Sequence, residues 1–320
     1  MKLNMQSYKN DDDYWRMRQF LRQMMLRNGR REFSWHVARL DYWWWFINKS
    51  IEKIKLEENV FIWETDSAQI AAILNPEGRG QAFLQIDPDL ASPALLEEMV
   101  SVAEEYLPIL ARDGKRKLQI FSDARDKILQ EILARHSFQR VERPEESEFQ
   151  HRCNLDDQLP PLPDTPGYTI RALGNGLEFL ERCYASGLGF HEDDINIARD
   201  NRDHPEWYRQ IQMAPLYRRD LDIIAVAADG SIGSFCTMWF DDVSLTAYIE
   251  PVATVPAHRQ KGLGKATILF GLQRLQRMGC KVAFVGGYST PANALYFSVM
   301  GPEYDISEPW EKIYQSSSQP

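Results

Sequence analysis

The stretch Leu245-Thr-Ala-Tyr-Ile-Glu250-Pro-Val-Ala-Thr-Val-Pro256-Ala-His-Arg259-Gln-Lys-Gly262-Leu-Gly264-Lys265-Ala266 decides how this chain is read. Its first part is rich in β-branched and aromatic residues, which suits a strand, and Pro256 ends it. Beyond Gly264, the apolar residues Ile268, Leu269, Leu272 and Leu275 recur at helical spacing, and Gly279 is a stop signal. The glycines therefore sit at a helix N-terminus. There the first-turn N–H groups lack intrahelical partners, the helix dipole adds partial positive charge, and a missing side chain lets an anion approach the backbone. Arg259, Lys261 and Lys265 strengthen the sign. On spacing alone the same glycines also fit a helix entry that needs conformational freedom and nothing more. The run has neither the Gly-Lys-Ser/Thr ending of a nucleotide P-loop nor the three-glycine spacing of a dinucleotide fold.

The chain around this stretch is long enough for two domains at 320 residues, and its 44% hydrophobic content supplies their cores. A net charge of -9 argues against a nucleic-acid partner or an anionic membrane surface and is compatible with an amine substrate. Cys153, Cys183, Cys236 and Cys280 lie far apart with no metal-ligand or redox spacing, so no metal site is expected and reduced, cytosolic thiols are. The polar N-terminus and the absence of any long apolar run predict a cytoplasmic protein without signal peptide or membrane span.

Taken in order, residues from Asp13 to about Leu56 are helical in character, broken at Asn28-Gly29, and include the aromatic concentration Trp43, Trp44, Trp45 and Phe46. That cluster reads as core or interdomain packing, or as the wall of a ligand pocket. Strands are predicted over 59–65, 69–74 and 81–86, a helix over 93–113, a strand over 117–121 and a helix over 125–136. The segment Leu159-Pro-Pro-Leu-Pro-Asp-Thr-Pro-Gly167 is a proline-rich connector. After it come a strand at 168–172, a helix at 177–186, a polar helical region at 194–212, strands at 221–228, 231–240 and 245–255, the helix after Gly262, a strand at 281–285 and a helix at 291–300. The same order of elements thus occurs twice. Asp66 matches Asp229, Pro88 matches Pro256 and Gly114 matches Gly279 at nearly constant offset, so two like domains are more economical than two unrelated folds. The boundaries are 1–158, a linker at 159–167, and 168–320. After Asp87-Pro88 the first half continues Asp89-Leu-Ala-Ser with no glycine and no basic residue, so it is expected to be a degenerate copy unable to hold phosphates.

The run Arg259-Gln-Lys-Gly262-Leu-Gly264 resembles the pyrophosphate loop of the GNAT superfamily of acyl-CoA N-acyltransferases, Gln/Arg-x-x-Gly-x-Gly/Ala after a strand. A second point of resemblance is Pro291-Ala-Asn293-Ala-Leu-Tyr296, similar to the family's Asn-Ala-x-x-Tyr helix; Ser289 stands where the family often has asparagine, and Gly301 is displaced by one residue. The resemblance implies an α/β (α+β) fold of tandem GNAT-like domains with mixed, mostly antiparallel sheets flanked by helices, arranged as an intramolecular pseudo-dimer in a monomer. The layout is similar to that of mycothiol synthase, although no residue identifies that substrate. It further implies acetyl-CoA as co-substrate, with the backbone of Val252, Ala253 and Thr254 facing the pantetheine arm. The amides and side chains of Arg259, Gln260, Lys261, Gly262, Leu263, Gly264 and Lys265 would hold the pyrophosphate, with Asn293 as a further contact.

Acyl transfer to an amine needs a base for the ammonium proton, and Glu250, on the strand entering the loop, fits that role or is an exposed strand residue. An oxyanion would meet a backbone N–H at a strand bulge near Ala253. Tyr296 is implied as the acid that protonates the departing thiolate. For the acceptor, His191 in the loop at 188–194 and Trp239 with Asp241 at a strand end offer aromatic faces and carboxylates, or are ordinary surface features. The expected function is N-acetylation of a small-molecule primary amine. A non-catalytic acyl-CoA-binding module and a protein N-terminal acetyltransferase are the alternatives.

Overall fold

The computed structural model describes residues 2–112 and 114–314. Two compact units divide the chain: one comprises the residues up to Trp43, Ile47–Gln150 and Asp305 onward, the other Trp44–Phe46 and His151–Tyr304. The proline-rich segment lies within the second unit, and the end of the chain returns to the first.

The first unit runs β1 (Asn4–Ser7), α1 (Asp11–Arg27), α2 (Val37–Tyr42), a π-helix (Trp43–Glu52), α3 (Leu56–Asn59), β2 (Phe61–Glu64), β3 (Ile70–Asn75), β4 (Gln81–Ile86), α4 (Pro93–Tyr106), β5 (Ile109–Leu110), β6 (Arg116–Asp123), α5 (Lys127–Arg135), β7 (Gln139–Arg140) and β8 (Glu148–Asn154), the last shared with the second unit. Its strands follow the order β1-β2-β3-β4-β6-β14, where β14 is Tyr304–Tyr314 at the end of the chain. All neighbours are antiparallel except β4 and β6. Trp63, Leu74, Met99, Leu118, Ile120 and Leu133 are buried in the core between this sheet, α4 and α5. The helix expected over 93–113 stops at Tyr106 because Pro108 has no N–H to continue the ladder and its ring would clash with the carbonyl one turn back.

The second unit runs β9 (Tyr168–Ala172), α6 (Glu178–Phe190), α7 (Ile195–Asp203), α8 (Glu206–Met213), β10 (Asp222–Ala227), β11 (Ile232–Asp241), β12 (Thr246–Thr254), α9 (Leu263–Arg277), β13 (Val282–Gly287) and α10 (Thr290–Met300). The polar helical region is two helices because Pro205 interrupts it. Strands β9-β10-β11-β12 are antiparallel neighbours, and β12 pairs with β13 in parallel. One face of this sheet packs on α9 and α10 through Cys236, Met238, Ile249, Leu269, Leu272 and Tyr296. Residues 155–163 run beside α9. Gln276 near its C-terminus donates to the carbonyls of Leu155 (2.8 Å) and Asp157 (3.1 Å), and Pro163 reaches to 4.0 Å from the position of a Cβ on Gly262 at its N-terminus. Each unit is thus a mixed α/β layer of the kind the repeat predicts. The four cysteines are buried and unbridged. Among the described residues no helix is long and apolar enough to cross a membrane.

Two glycines of the second unit have opposite sensitivities. A Cβ on Gly187 of α6 would strike the backbone of Ala198 in α7, whereas one on Gly271 of α9 would meet the flexible end of Met238. Alanine gains about 1 kcal/mol in helix propensity at either site, and overpacking against rigid backbone costs about 1–3 kcal/mol. Gly187→Ala is therefore expected to lower the denaturant midpoint and Gly271→Ala to change it little. Equal midpoints for both variants in urea unfolding would contradict the packing described.

Candidate active site

The site is built where β12 and β13 part. They pair only at Thr246–Val282, Ala247–Ala283 and Tyr248–Phe284, yet β12 continues to Thr254 and β13 to Gly287. On its other edge β12 stays paired with β11, with a register shift: Met238 faces Ile249 and Cys236 faces Val252. Glu250 and Pro251 thus form a bulge opposite Thr237, and residues 252–254 and Glu250 are half-buried whereas 246–249 are buried. The bulge lies upstream of the expected position near Ala253, and Pro251 has no N–H to offer. Trp239 donates its indole N–H to the Glu250 carbonyl at 2.6 Å, which fixes the bulge from beneath.

At the open end of β12 the chain enters the glycine loop. Gln260 and Gly262 adopt left-handed conformations (φ 63° and 73°), and Gly262 caps α9 with no side-chain hydrogen bond to its first turn. The two glycines do different work. A Cβ on Gly262 would meet only Pro163, at 4.0 Å, while one on Gly264 would sit 3.2 Å from both Thr254 Oγ1 and Leu295 Cδ2. Gly262 thus provides the turn and the opening, and Gly264 lets the helix start press against β12 and α10. Thr254 Oγ1 lies 3.0 Å from Ser234 Oγ, which also donates to the Ala253 carbonyl. Arg259 donates to the Thr254 carbonyl at 3.3 Å and pairs with exposed Glu192 at 3.3 Å. Lys261 donates to the Tyr168 hydroxyl at 2.9 Å, which lies 2.7 Å from His258 Nδ1. Leu263 is buried and Lys265 half-buried on the first turn. An acyl-CoA fits the chemistry of this arrangement: α9 starts without a side-chain cap, and Arg259, Lys261 and Lys265 lie on or just before its first turn.

Helix α10 stands over the end of β13. Ser289 is its N-cap, accepting from the Ala292 N–H at 3.3 Å, so the residue that departs from the family's asparagine has a structural job. Asn293 and Tyr296 lie one turn apart on one face, and a Cβ on Gly287 would strike Asn293 Oδ1 and come within 3.1 Å of the Tyr296 ring. Tyr296 is 6% exposed; burial pushes its phenol above its ordinary range, helped by nearby Cys236 and Glu250.

The acceptor residues expected from sequence are dispersed. His191 is exposed at the end of α6, in a turn where Glu192 and Asp193 have positive φ and Asp194 caps α7. Trp239 is fully buried and acts through the bulge. Asp241 is a correction: it is fully buried, binds the N–H (2.9 Å) and hydroxyl (2.6 Å) of Ser244, and closes the β11–β12 hairpin at the end away from the loop. Sequence reasoning missed a buried group beside the bulge. Asp222 accepts from Thr237 (3.1 Å), Tyr217 (3.0 Å) and Tyr208, and Arg182 lies 3.5 Å from it, over the Phe235 ring. Burial first, then the Asp222 charge, raises the phenols of Tyr208 and Tyr217, so both stay donors. Trp207 next to Tyr208 packs on Phe46 at 5.3 Å, so part of the aromatic concentration does belong to this unit.

The equivalent place in the first unit is filled by its own chain. Strands β4 and β6 pair in parallel only at Gln81–Gln119 and Ala82–Ile120. Beyond that, Phe83 stacks on Phe121 at 4.4 Å, Trp35 packs on Phe83 at 5.0 Å, and the Trp35 N–H donates to Gln85 at 2.7 Å. A cavity of about 50 Å³ is left. Helix α4 is capped by Ser92, which accepts from the Leu95 N–H at 3.2 Å, and Asp87 accepts from the Asp89 N–H and from Arg27.

Residues 189–301 match the family described as Acetyltransferase (GNAT) family. A tandem GNAT protein from the clavulanic acid biosynthesis pathway superposes with a TM-score of 0.63 at 14% identity, over 99% of this chain and 100% of that one. A GCN5-related N-acetyltransferase from Sphaerobacter thermophilus gives 0.60 at 17% identity over 97% and 95%. A GNAT-family acetyltransferase from Colwellia psychrerythraea gives 0.54 at 9% identity over 96% and 99%. No curated protein matches the sequence. Among the described residues no group of three or more His, Cys, Asp or Glu could hold a metal ion.

One loop open and one filled has a measurable consequence. Gly262→Glu puts a side chain and a negative charge into the opening and costs about 1–2 kcal/mol for a left-handed non-glycine, so a folded variant is expected to lose acetyl-CoA binding in calorimetric titration. The unsubstituted chain should titrate with one equivalent. Two equivalents, or unchanged affinity in the variant, would contradict the site.

Proposed function

We propose that the chain is an acyltransferase that transfers the acetyl group of acetyl-CoA to a primary amine of a small molecule; the match of residues 189–301 to the GNAT acetyltransferase family and the tandem GNAT fold support this. The observation that carries this reading is the uncapped start of α9 at the mouth of the parted strands, with Glu250 on one side and Tyr296 on the other. Acetyl-CoA supplies the thioester. Residues 252–254 would lie along its pantetheine arm, the amides and cations of 259–265 would hold its pyrophosphate, and Asn293 would offer a polar contact.

In this reading Glu250 takes the proton of the acceptor ammonium, directly or through water, so that a neutral nitrogen forms the new C–N bond. Charge on the carbonyl oxygen needs a donor at the bulge. Pro251 has none, so in this reading the donor comes from a neighbouring backbone group. Tyr296 gives its proton to the sulfur as the C–S bond breaks. Its raised pKa keeps that proton in place through neutral and mildly alkaline pH. Trp239 and the Asp222 group hold the wall on which Glu250 stands. The half-buried Trp207, Phe46 and Tyr217 give that side an aromatic surface suited to the body of an amine. The protein is expected to act in the cytoplasm.

Tyr296→Phe is expected to lower kcat about 10–100-fold with little change in KM for acetyl-CoA, because the lost proton matters in the transition state. Glu250→Gln should lower kcat similarly and remove the acidic limb of the pH–rate profile. Free-thiol release from acetyl-CoA on a panel of amines measures both. Unchanged rates in both variants would leave acyl-CoA binding without turnover as the reading that survives.

A further inference from the structure

One fully buried histidine touches the same helix and has no part in the scheme above. His151 opens the second unit on β8, 38 residues before the family match begins. Its Nε2 lies 3.0 Å from Asn293 Oδ1, and its ring packs on Tyr296 at 5.6 Å and on Phe297 at 5.2 Å. An amide oxygen only accepts, so the contact requires the proton on Nε2. Burial lowers the imidazole pKa, which keeps the ring neutral at physiological pH.

We propose that His151 is a positioning residue for the acyl-donor site: by donating to Asn293 Oδ1 it fixes the side-chain amide, leaving both Nδ2 hydrogens for a carbonyl of the donor's pantetheine arm. Gly287 supports the same placement from the other side, since a Cβ there would occupy the space of Oδ1. With Oδ1 held between β8 and β13, the amide cannot flip to offer its oxygen to an incoming carbonyl, which would repel it. The packing of the same ring on Tyr296 joins the contact residue and the acid in one rigid unit on α10. This inference rests on the proposed acetyl-CoA reading.

The test uses the full chain with four variants. His151→Phe keeps the ring packing and removes the donor, His151→Gln keeps a donor, and Asn293→Ala is made alone and with His151→Phe. Binding of CoA by calorimetry is read beside KM and kcat for acetyl-CoA. The loss of one oriented hydrogen bond is expected to weaken binding and raise KM about 5–10-fold in His151→Phe, with kcat nearly unchanged. His151→Gln should recover most of this, and the double variant should be no worse than Asn293→Ala, as coupled neighbours are. Additive losses in the double variant, or His151→Phe binding as tightly as the unsubstituted protein, would overturn the role. If the unsubstituted protein itself bound no CoA, the underlying functional reading would fall instead. If His151→Phe does not fold, His151→Leu takes its place: weaker CoA binding in His151→Leu that His151→Gln restores supports positioning, and His151→Leu binding as tightly as the unsubstituted chain refutes it.

Discussion

Two parallel strands that stay together for three residues and then part share no ladder beyond that point. Buried peptide groups need partners or cost about 1–3 kcal/mol each, and here the carbonyls of Glu250, Ala253 and Thr254 take theirs from Trp239, Ser234 and Arg259. The helix start at the mouth of the gap favours negative charge. The two units answer the same demand differently. In the first, residues 34–35 enter the gap, Ser34 and Trp35 exchange hydrogen bonds with Ile86 and Gln85, and aromatic rings take the remaining volume. The helix start is closed by Ser92, and Asp87 with Arg27 provides the charge internally. In the second, the bulge, the turn at Gly262 and the absent cap keep the gap open.

Keeping the gap open puts the burden on its walls. The Glu250 carbonyl is held by Trp239, and Trp239 belongs to the β11 face that also carries Phe235 and Thr237. Both touch Arg182, and Thr237 donates to Asp222. On the opposite face, Gly264 allows α9 to sit against Thr254 and Leu295. A bulged strand with one free edge is a weak element by itself. Here its shape is set by groups that are fully buried on both sides.

Much of this was legible in the sequence because the informative features were local. The strand–loop–helix at 245–275 announces itself by β-branched residues, a proline, two glycines and a 3.6-residue apolar period, and each of these acts within a few residues of where it is written. The expectation that the first half lacks such a loop has the same local basis, in Asp87 and Asp89 with no glycine beside them. The strand β14 was not read: Pro309 and the charges at Glu308, Glu311 and Lys312 hide a strand whose partner β6 lies almost two hundred residues earlier. His151 and Asp222 were invisible because a single histidine or aspartate at a strand carries no local mark. Their meaning comes from Asn293, Tyr208 and Tyr217, which only tertiary folding brings to them. Asp241 was misassigned by the reverse error, since a carboxylate at a strand end looks like a binding group until the turn it closes is seen.

The Asp222 group is the least economical part of the second unit, and that is informative. A buried carboxylate with a guanidinium nearby seldom gains stability over a well-packed apolar pair, while removing one partner costs about 3–5 kcal/mol. What such a group supplies instead is direction. Three hydroxyls from α8, the loop after it and β11 converge on the two oxygens of Asp222, and Arg182 arrives from α6. Each partner has one geometry that satisfies it, whereas leucines in the same volume would tolerate several. Helix α8 carries Trp207 beside Tyr208, so fixing the Tyr208 hydroxyl also fixes where Trp207 meets Phe46. The aromatic surface formed by Trp207 and Phe46 is therefore oriented by a charge it does not itself contain.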